Sequence, residues 1–156
     1  MADLLRKKAP DFKLLDDEGK ERTLAEFKGQ TVLLYFYPKD MTPGCTTEAQ
    51  CLRDTMNDLK LAKVQVLGVS VDDVQSHKKF KEKEHLNFSL LADTEKDVVQ
   101  KYGVWQEKSM FGKKYMGILR ESFLIDGKGI VVKHYEKVNP KDHAKEVLND
   151  VKEMGL

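Results

Sequence analysis

The chain has 156 residues, 40% of them hydrophobic, with 27 lysines and arginines against 26 aspartates and glutamates, for a formal net charge of +1. Such a length and apolar content suit one domain, residues 1–156, with a core that needs no disulfide staples. The balanced charge provides no overall field to recruit nucleic acid or an acidic membrane. The segment Met1 to Lys8 lacks the apolar stretch and small-residue cleavage site of a signal peptide, and no apolar run reaches membrane-spanning length, so a soluble cytoplasmic protein is expected. Two cysteines, Cys45 and Cys51, are too few for a secreted disulfide framework; in a reducing compartment such a pair reads as catalytic or redox active.

In chain order, Phe12, Leu14 and Leu15 followed by Asp16-Asp17-Glu18-Gly19-Lys20 suggest a short N-terminal hairpin. Apolar, β-branched runs then predict strands at Val32–Tyr37, Val64–Val71, Phe88–Leu91, Ser122–Ile125 and Ile130–Tyr135, with helical patterns between the first four. This alternation is an α/β signature. Asp126-Gly127-Lys128-Gly129 is turn chemistry and makes the last two strands an antiparallel hairpin, so the sheet is mixed. Asn139-Pro140 opens a final helix as N-cap and first-turn proline, and Ala144, Val147, Leu148 and Val151 form its inward stripe. No internal repeat, low-complexity stretch or long linker interrupts these elements.

Cys45 lies where the Val32–Tyr37 strand passes through Pro38-Lys39-Asp40-Met41-Thr42-Pro43-Gly44 into a helix. A helix N-terminus offers backbone N–H groups without intrahelical partners and roughly half a positive charge, so it favours a thiolate. Helix N-termini and nearby cations bring cysteines from a pKa of about 8.5 into the range of about 3.5–7.5, and the thiolate is the nucleophile. At 100° per residue, Cys45, Ala49, Leu52, Met56 and Leu59 share one face, which packs on the sheet. A small buried hydrophobe would occupy the same position. The pattern Pro38-x-x-x-Thr42-x-x-Cys45, with a hydroxyl three residues before the thiol, favours chemistry over packing.

The run Tyr35 to Ala49, with Leu52-Arg53-Asp54 after it, resembles the peroxiredoxins, in particular their bacterioferritin comigratory protein (peroxiredoxin Q) branch. Ala9-Pro10-Asp11-Phe12, Val66 to Ser70, Phe88 to Asp93, Tyr102-Gly103-Val104-Trp105 and Arg120 to Asp126 are similar to family segments in family order. The resemblance implies a thioredoxin-like fold, a mixed sheet flanked by helices with an N-terminal hairpin. It also implies a peroxidase that needs no metal, haem or flavin. It assigns Cys45 as the peroxidatic nucleophile, Thr42 and the backbone N–H groups near Gly44 and Cys45 as peroxide holders, and Pro38 as a shield against bulk water. Arg120 supplies a positive charge that is protonated at any working pH. Without the family match, Arg120 reads as a surface arginine at a strand entry and Thr42 as a local turn cap. Glu48 reads first as a favourable first-turn acid and second as a partner of Arg120, so it stays outside the catalytic set.

After attack on the O–O bond, Cys45 would be a sulfenic acid, which a second thiol resolves. In this branch the resolving cysteine of the helix usually lies five residues on, where this chain has Gln50; the only other thiol is Cys51. Six helical steps give ~9 Å of rise, beyond the ~4.4–6.8 Å Cα separation of a disulfide, so an intact helix forbids the bond. Three possibilities stay open: Cys51 resolves Cys45 after local unwinding, Cys51 is inert, or an external thiol reduces a one-cysteine enzyme. The spacing excludes C-x-x-C and so argues against a thioredoxin dithiol or a zinc knuckle.

His77, His85, His134 and His143 show no metal-ligand spacing and read as solvated surface residues. Lys78, Lys79, Lys81 and Lys83 read as the wet face of a helix starting near Asp72-Asp73. Trp105 with Tyr102, Met110 and Phe111 reads as core or as an apolar wall beside the thiol, with the wall favoured. The expected function is reduction of hydrogen peroxide and organic hydroperoxides with thioredoxin or a similar thiol as reductant, by a monomer, a dimer remaining open. A general thiol-disulfide oxidoreductase and a non-catalytic redox sensor or holdase are the alternatives.

Overall fold

The computed structural model describes residues 3–156, so the first two residues of the segment read as leaderless lie outside it. Its elements are β1 (Lys13–Asp16), β2 (Glu21–Thr23), a 3-10 turn (Ala25–Phe27), β3 (Thr31–Phe36), α1 (Pro43–Leu61), β4 (Val64–Ser70), α2 (Val74–Glu84) and β5 (Ser89–Ala92). Then follow α3 (Asp97–Lys101), β6 (Trp105–Met110), β7 (Lys113–Ile118), β8 (Glu121–Ile125), β9 (Val131–Tyr135) and α4 (His143–Met154). A seven-stranded sheet in the order β2-β1-β5-β4-β3-β8-β9 is joined by a separate β6-β7 ribbon. β3, β4 and β5 are parallel, while β8 runs antiparallel to β3, which makes the expected mixed sheet.

β3 is central because both its faces are buried. All six of its residues are inside. Leu33 and Tyr35 face one hydrophobic cluster, with Cys45, Leu52 and Leu59 of α1, Phe80 of α2 and Val147 of α4. Val32, Leu34 and Phe36 face the other, with Phe12, Phe27, Val99 and Tyr102. This period of two on a doubly covered strand accounts for its near-continuous apolar run. The same periodicity leaves Gly68 of β4 on the Tyr35 side. A Cβ there would lie 2.8 Å from the Tyr35 ring and 2.9 Å from Leu90, so glycine makes room for the Tyr35 ring, which stacks on Tyr37 with centroids 5.4 Å apart.

Both terminal expectations hold with small shifts. β1 and β2 form the N-terminal hairpin, and β8 and β9 pair antiparallel around the Asp126 turn, whose side chain accepts from the N–H groups of Lys128 and Ile130. Asn139 Oδ1 accepts from Lys141 N–H and its carbonyl from His143 N–H, so the capping turn is present although regular helix begins at His143. The region between β5 and β8 differs from the expected helical pattern. Only Asp97–Lys101 is helical, and a hairpin follows with Phe111 and Gly112 at its tip, both at positive φ. Two central residues at positive φ define a type I′ turn, usually signalled by Asn-Gly, and the aromatic at its first position hides that signal.

Among the described residues no helix is long and apolar enough to cross a membrane. Gly68→Ala is expected to lower stability by about 1–3 kcal/mol through overpacking against Tyr35 and Leu90, read as a lower urea midpoint at unchanged slope. A midpoint equal to wild type would mean that Tyr35 moves aside freely.

Candidate active site

β3 hands the chain to the site at its C-terminal end. Tyr37 is still tied to the sheet by its N–H on the Val69 carbonyl. Pro38 is half-buried, Asp40 is buried, and Met41 adopts φ 64°, a left-handed conformation that side chains other than glycine rarely take. Thr42 then sits at the N-cap of α1 with Pro43 at the first helical position, which has no N–H to leave unpaired. Thr42 does not cap the helix with its side chain; its hydroxyl donates to the Lys39 carbonyl at 2.7 Å. The N–H groups of Gly44 and Cys45, which belong to the first turn, are thus left uncapped by it.

Cys45 is 2% exposed and belongs to the core face inferred from helical periodicity. Arg120 reaches it from the residue before β8. Because β8 is antiparallel to β3 and pairs Glu121 with Phe36, the start of β8 and the loop leaving β3 meet at the same end of the sheet. Arg120 Nη2 lies 3.3 Å from Cys45 Sγ, and Nη1 lies 2.7 Å from Glu48 Oε1. Burial alone would lower the Arg120 pKa, but Cys45 and Glu48 beside it more than offset this and hold it above its ordinary value. Gly44 makes the approach possible, since a Cβ on it would stand 3.0 Å from Nη2.

Glu48 takes the second of its two sequence readings. It lies in the second helical turn, 1% exposed, with Arg120 as its partner, and not in the first turn as a helix-start acid. One carboxylate oxygen faces Arg120, while Oε2 has no hydrogen-bond partner. Burial therefore outweighs the ion pair and pushes the Glu48 pKa up to about 7. Sequence reading missed Lys108 of β6. Its Nζ donates to the Ile118 carbonyl, and burial together with the charge of Arg120 holds its pKa below the usual lysine value. Lys108 is a long-range neighbour with no local signal.

Cys51 is half-buried against the same cluster as Cys45, and both thiols are free on one unbroken helix. Gln50, at the position of the branch's usual resolving cysteine, donates to Glu84 at 2.8 Å. The expected apolar wall is not assembled. Tyr102 and Trp105 pack with the cluster on the other side of the sheet from Cys45, while Met110 and Phe111 stand exposed at the β6-β7 tip. The surface reading of the histidines also fails for three of the four. His77 and His143 are buried, the second between Ser122 and Glu146, and His134 stacks on Phe123 while bonded to Glu121; only His85 is exposed. Each has a partner on another element, Asp40 and Leu91 for His77, Glu121 for His134 and Ser122 for His143, which a metal-spacing rule cannot see. The lysines of α2 do face water: Lys78, Lys79 and Lys83 are exposed, and half-buried Lys81 reaches Asp17.

A thiol held at an uncapped helix start, against a half-buried arginine and at the end of a mixed sheet, defines a thiol enzyme of the peroxiredoxin class. Comparison with known proteins agrees: residues 5–134 match the AhpC/TSA family, and the chain belongs to that family. It is 50% identical over 145 residues to peroxiredoxin Bcp of Escherichia coli K12, covering 93% of each chain, and 47% identical over 148 residues to peroxiredoxin Bcp of Bacillus subtilis, covering 95% and 94%. Among solved structures, Xanthomonas campestris peroxiredoxin Q matches with TM-score 0.88 and 36% identity over 93% of this chain and 92% of that one. A Xylella fastidiosa PrxQ mutant matches with TM-score 0.90 and 33% identity over 100% and 97%. The fold is the thioredoxin-like peroxiredoxin fold, and the protein is a thiol-dependent peroxidase.

Glu48 generates a pH dependence with a definite sign. Its folded pKa of about 7 exceeds the ordinary 4.5, so between these values the folded chain holds a proton that the unfolded chain has released. Its contribution is complete below the unfolded value, and stability falls as pH rises through the window. Glu48→Gln cannot titrate and is expected to flatten that fall, measured as urea midpoints from about pH 5 to about pH 7.5; an unchanged slope would contradict the raised value.

Proposed function

We propose that Cys45 is the peroxidatic nucleophile for hydrogen peroxide and organic hydroperoxides, that Arg120, Thr42, Gly44 and Pro38 build its reaction site, and that a thiol such as thioredoxin reduces it in the cytoplasm. The observation that carries this reading is the 3.3 Å contact of Arg120 Nη2 with the Cys45 sulfur at the start of α1. The sulfur attacks one peroxide oxygen as its pair displaces the other. The attacked oxygen keeps its proton and becomes the sulfenic acid hydroxyl on Cys45, and the leaving hydroxide or alkoxide takes a proton from solvent, the equivalent of the one the thiol released on ionising, giving water or an alcohol. Negative charge moves from sulfur to the departing oxygen along this path. A guanidinium beside the sulfur, together with the N–H groups of Gly44 and Cys45, stabilises both ends without reorganising.

Thr42 has a narrower role than a generic donor. Its proton is engaged on the Lys39 carbonyl, so its oxygen lone pairs are oriented to accept from the peroxide O–H and align the O–O bond with the sulfur. Pro38, half-buried beside the loop, removes an N–H and keeps water from the thiolate. The Xanthomonas bacterioferritin comigratory protein, described for its alkyl peroxide reduction activity, supports the organic substrates. A single chain suffices for this chemistry, since Cys45, Arg120 and Glu48 share one polypeptide. Resolution by Cys51 through a Cys45–Cys51 disulfide requires the first turns of α1 to unwind.

Cys45→Ser is expected to abolish peroxide consumption, and Arg120→Ala to slow it by about 10²–10³-fold, the loss typical of one transition-state donor, in a coupled assay with thioredoxin. Normal turnover in either variant sinks the assignment. Mass spectrometry after one equivalent of peroxide decides the role of Cys51. An intramolecular disulfide in wild type and a lasting sulfenic acid in Cys51→Ser are expected if Cys51 resolves, and identical sulfenic acid in both if it does not.

A further inference from the structure

Asp40, in the loop that carries the chain to Thr42 and Cys45, is the hub of a buried polar cluster that the chemistry above leaves unused. Its N–H donates to Asp72 Oδ2 at 2.8 Å, an atom that also accepts from Ser70 Oγ at 2.7 Å. Its carboxylate accepts from the Tyr37 hydroxyl at 2.6 Å on Oδ1 and from Ser76 Oγ at 2.8 Å on Oδ2. His77 Nδ1 stands 2.7 Å from the same Oδ2, and His77 Nε2 stands 2.8 Å from the Leu91 carbonyl. His77 itself is fully buried.

These contacts set the protonation state. A carbonyl oxygen only accepts, so Nε2 carries a proton. Nδ1 faces a carboxylate oxygen that also accepts from the Ser76 hydroxyl, so Nδ1 carries a proton and donates as well. The pair is an imidazolium and a carboxylate inside the protein. The atoms that face one another in Asp40, Asp72 and His77 are taken up by these bonds, which makes the cluster a brace rather than a vacant ligand set.

We propose that the His77–Asp40 pair positions the peroxide cradle: the doubly protonated ring fixes Asp40, and through it the Pro38–Thr42 turn, so that loss of the ring proton slackens the cradle while leaving the thiol in place. Met41 makes such a brace necessary. Its left-handed backbone is a strained conformation that persists only when its surroundings over-determine it. Asp40 holds one side of that residue, and the Thr42 to Lys39 bond closes the turn over it.

The titratable groups facing the ring are Tyr37 from β3, Asp40 from the loop and Asp72 from the connection into α2; β5 presents the Leu91 carbonyl. Burial pushes the Tyr37 pKa well above its ordinary value, and Asp40 adds to this, so its hydroxyl remains a donor. Burial alone would lower the His77 pKa, but Asp40, the Leu91 carbonyl and Asp72 more than offset it and hold it above 6.5. The brace is therefore intact below that raised value and is lost as pH rises through it.

The inference rests on the peroxidase reading, and the test separates the two. Stopped-flow oxidation by hydrogen peroxide is measured from about pH 6 to about pH 9.5 in wild type and His77→Gln. Alkylation of Cys45 by iodoacetamide, which needs the thiolate but not the cradle, is followed by peptide mass spectrometry, and nitrogen NMR reports the His77 ring in wild type. Wild type is expected to show both ring nitrogens protonated at about pH 6.5 and an alkaline fall in peroxide rate that tracks ring deprotonation. His77→Gln is expected to lose about tenfold or more in peroxide rate together with that alkaline fall, while alkylation stays within about threefold. A wild-type rate and profile in the variant overturns the brace, and so do equal losses in both reactions, which mark a merely structural residue. If His77→Gln fails to fold, wild type decides alone: an unprotonated Nδ1 at about pH 6, or no rate change where the ring titrates, overturns the inference. Wild type without peroxide consumption sinks the peroxidase reading first and the brace with it.

Discussion

One guanidinium faces two acidic groups. Arg120 stands between the Cys45 sulfur and the Glu48 carboxyl in a largely buried site, and most of the local architecture follows from bringing those three together. Arginine suits the position because its forked donors serve both partners at once and its charge survives burial, whereas lysine would offer one shiftable point charge. The fork must lie against the helix start, so residue 44 carries no side chain. The carboxyl must hold the fork in place without permanently claiming its charge. Burial does this by pushing the Glu48 pKa up, which weakens its hold on the charge while the hydrogen bond to Nη1 still orients the guanidinium beside the sulfur.

Topology supplies the meeting point. β3 has a parallel neighbour, β4, on one side and an antiparallel neighbour, β8, on the other. The C-terminal end of β3 therefore coincides with the C-terminal end of β4 and the N-terminal end of β8. The first brings Ser70 and Asp72 beneath the reactive loop, and the second brings Arg120 above the helix start. Open α/β sheets commonly place their chemistry outside the carboxyl ends of strands, where neighbouring connections diverge. Here the divergence leaves the loop anchored from below through Asp40 and electrostatically capped from above through Arg120. A functional loop on a rigid scaffold needs both, since a flexible one would have to pay conformational entropy in each turnover.

Much of this was legible in the chain because it is local. The run Val32–Tyr37, the Asp126 turn and the 100° periodicity that put Cys45 on the face of Ala49, Leu52 and Met56 depend only on neighbours in sequence, and each is where the pattern placed it. The failures share a different origin. His77 and His143 each bond to a residue on a distant element, so local rules assigned them to water, where unpaired polar groups belong, and the Arg120 partnership of Glu48 came second to its reading as a first-turn acid. The β6-β7 ribbon was hidden because its strands mix charged with apolar residues and are mostly exposed toward the tip, and its turn begins with Phe111. Buried polar groups mark what is hardest to read from sequence, and in this protein they are concentrated around the reactive loop.

Helix α1 combines two mechanical regimes, and this bears on how an oxidised Cys45 is returned to thiol. Its first residues are Pro43-Gly44-Cys45-Thr46-Thr47, poor helix formers, and the Thr47 hydroxyl bonds back to the Pro43 carbonyl, a contact that weakens the turn it spans. From Gln50 onward the helix is fastened to the end of α2, by Gln50 to the Glu84 carboxylate and by Arg53 to the Glu84 carbonyl at 2.6 Å. Local opening thus has its lowest free energy before Gln50 and rises beyond it. A thiol at the position of Gln50 would sit on that boundary, whereas Cys51 sits just inside the fastened part. For Cys51 to meet Cys45, opening must extend past the Gln50–Glu84 bond, so a resolving role for Cys51 would require breaking part of the contact between α1 and α2.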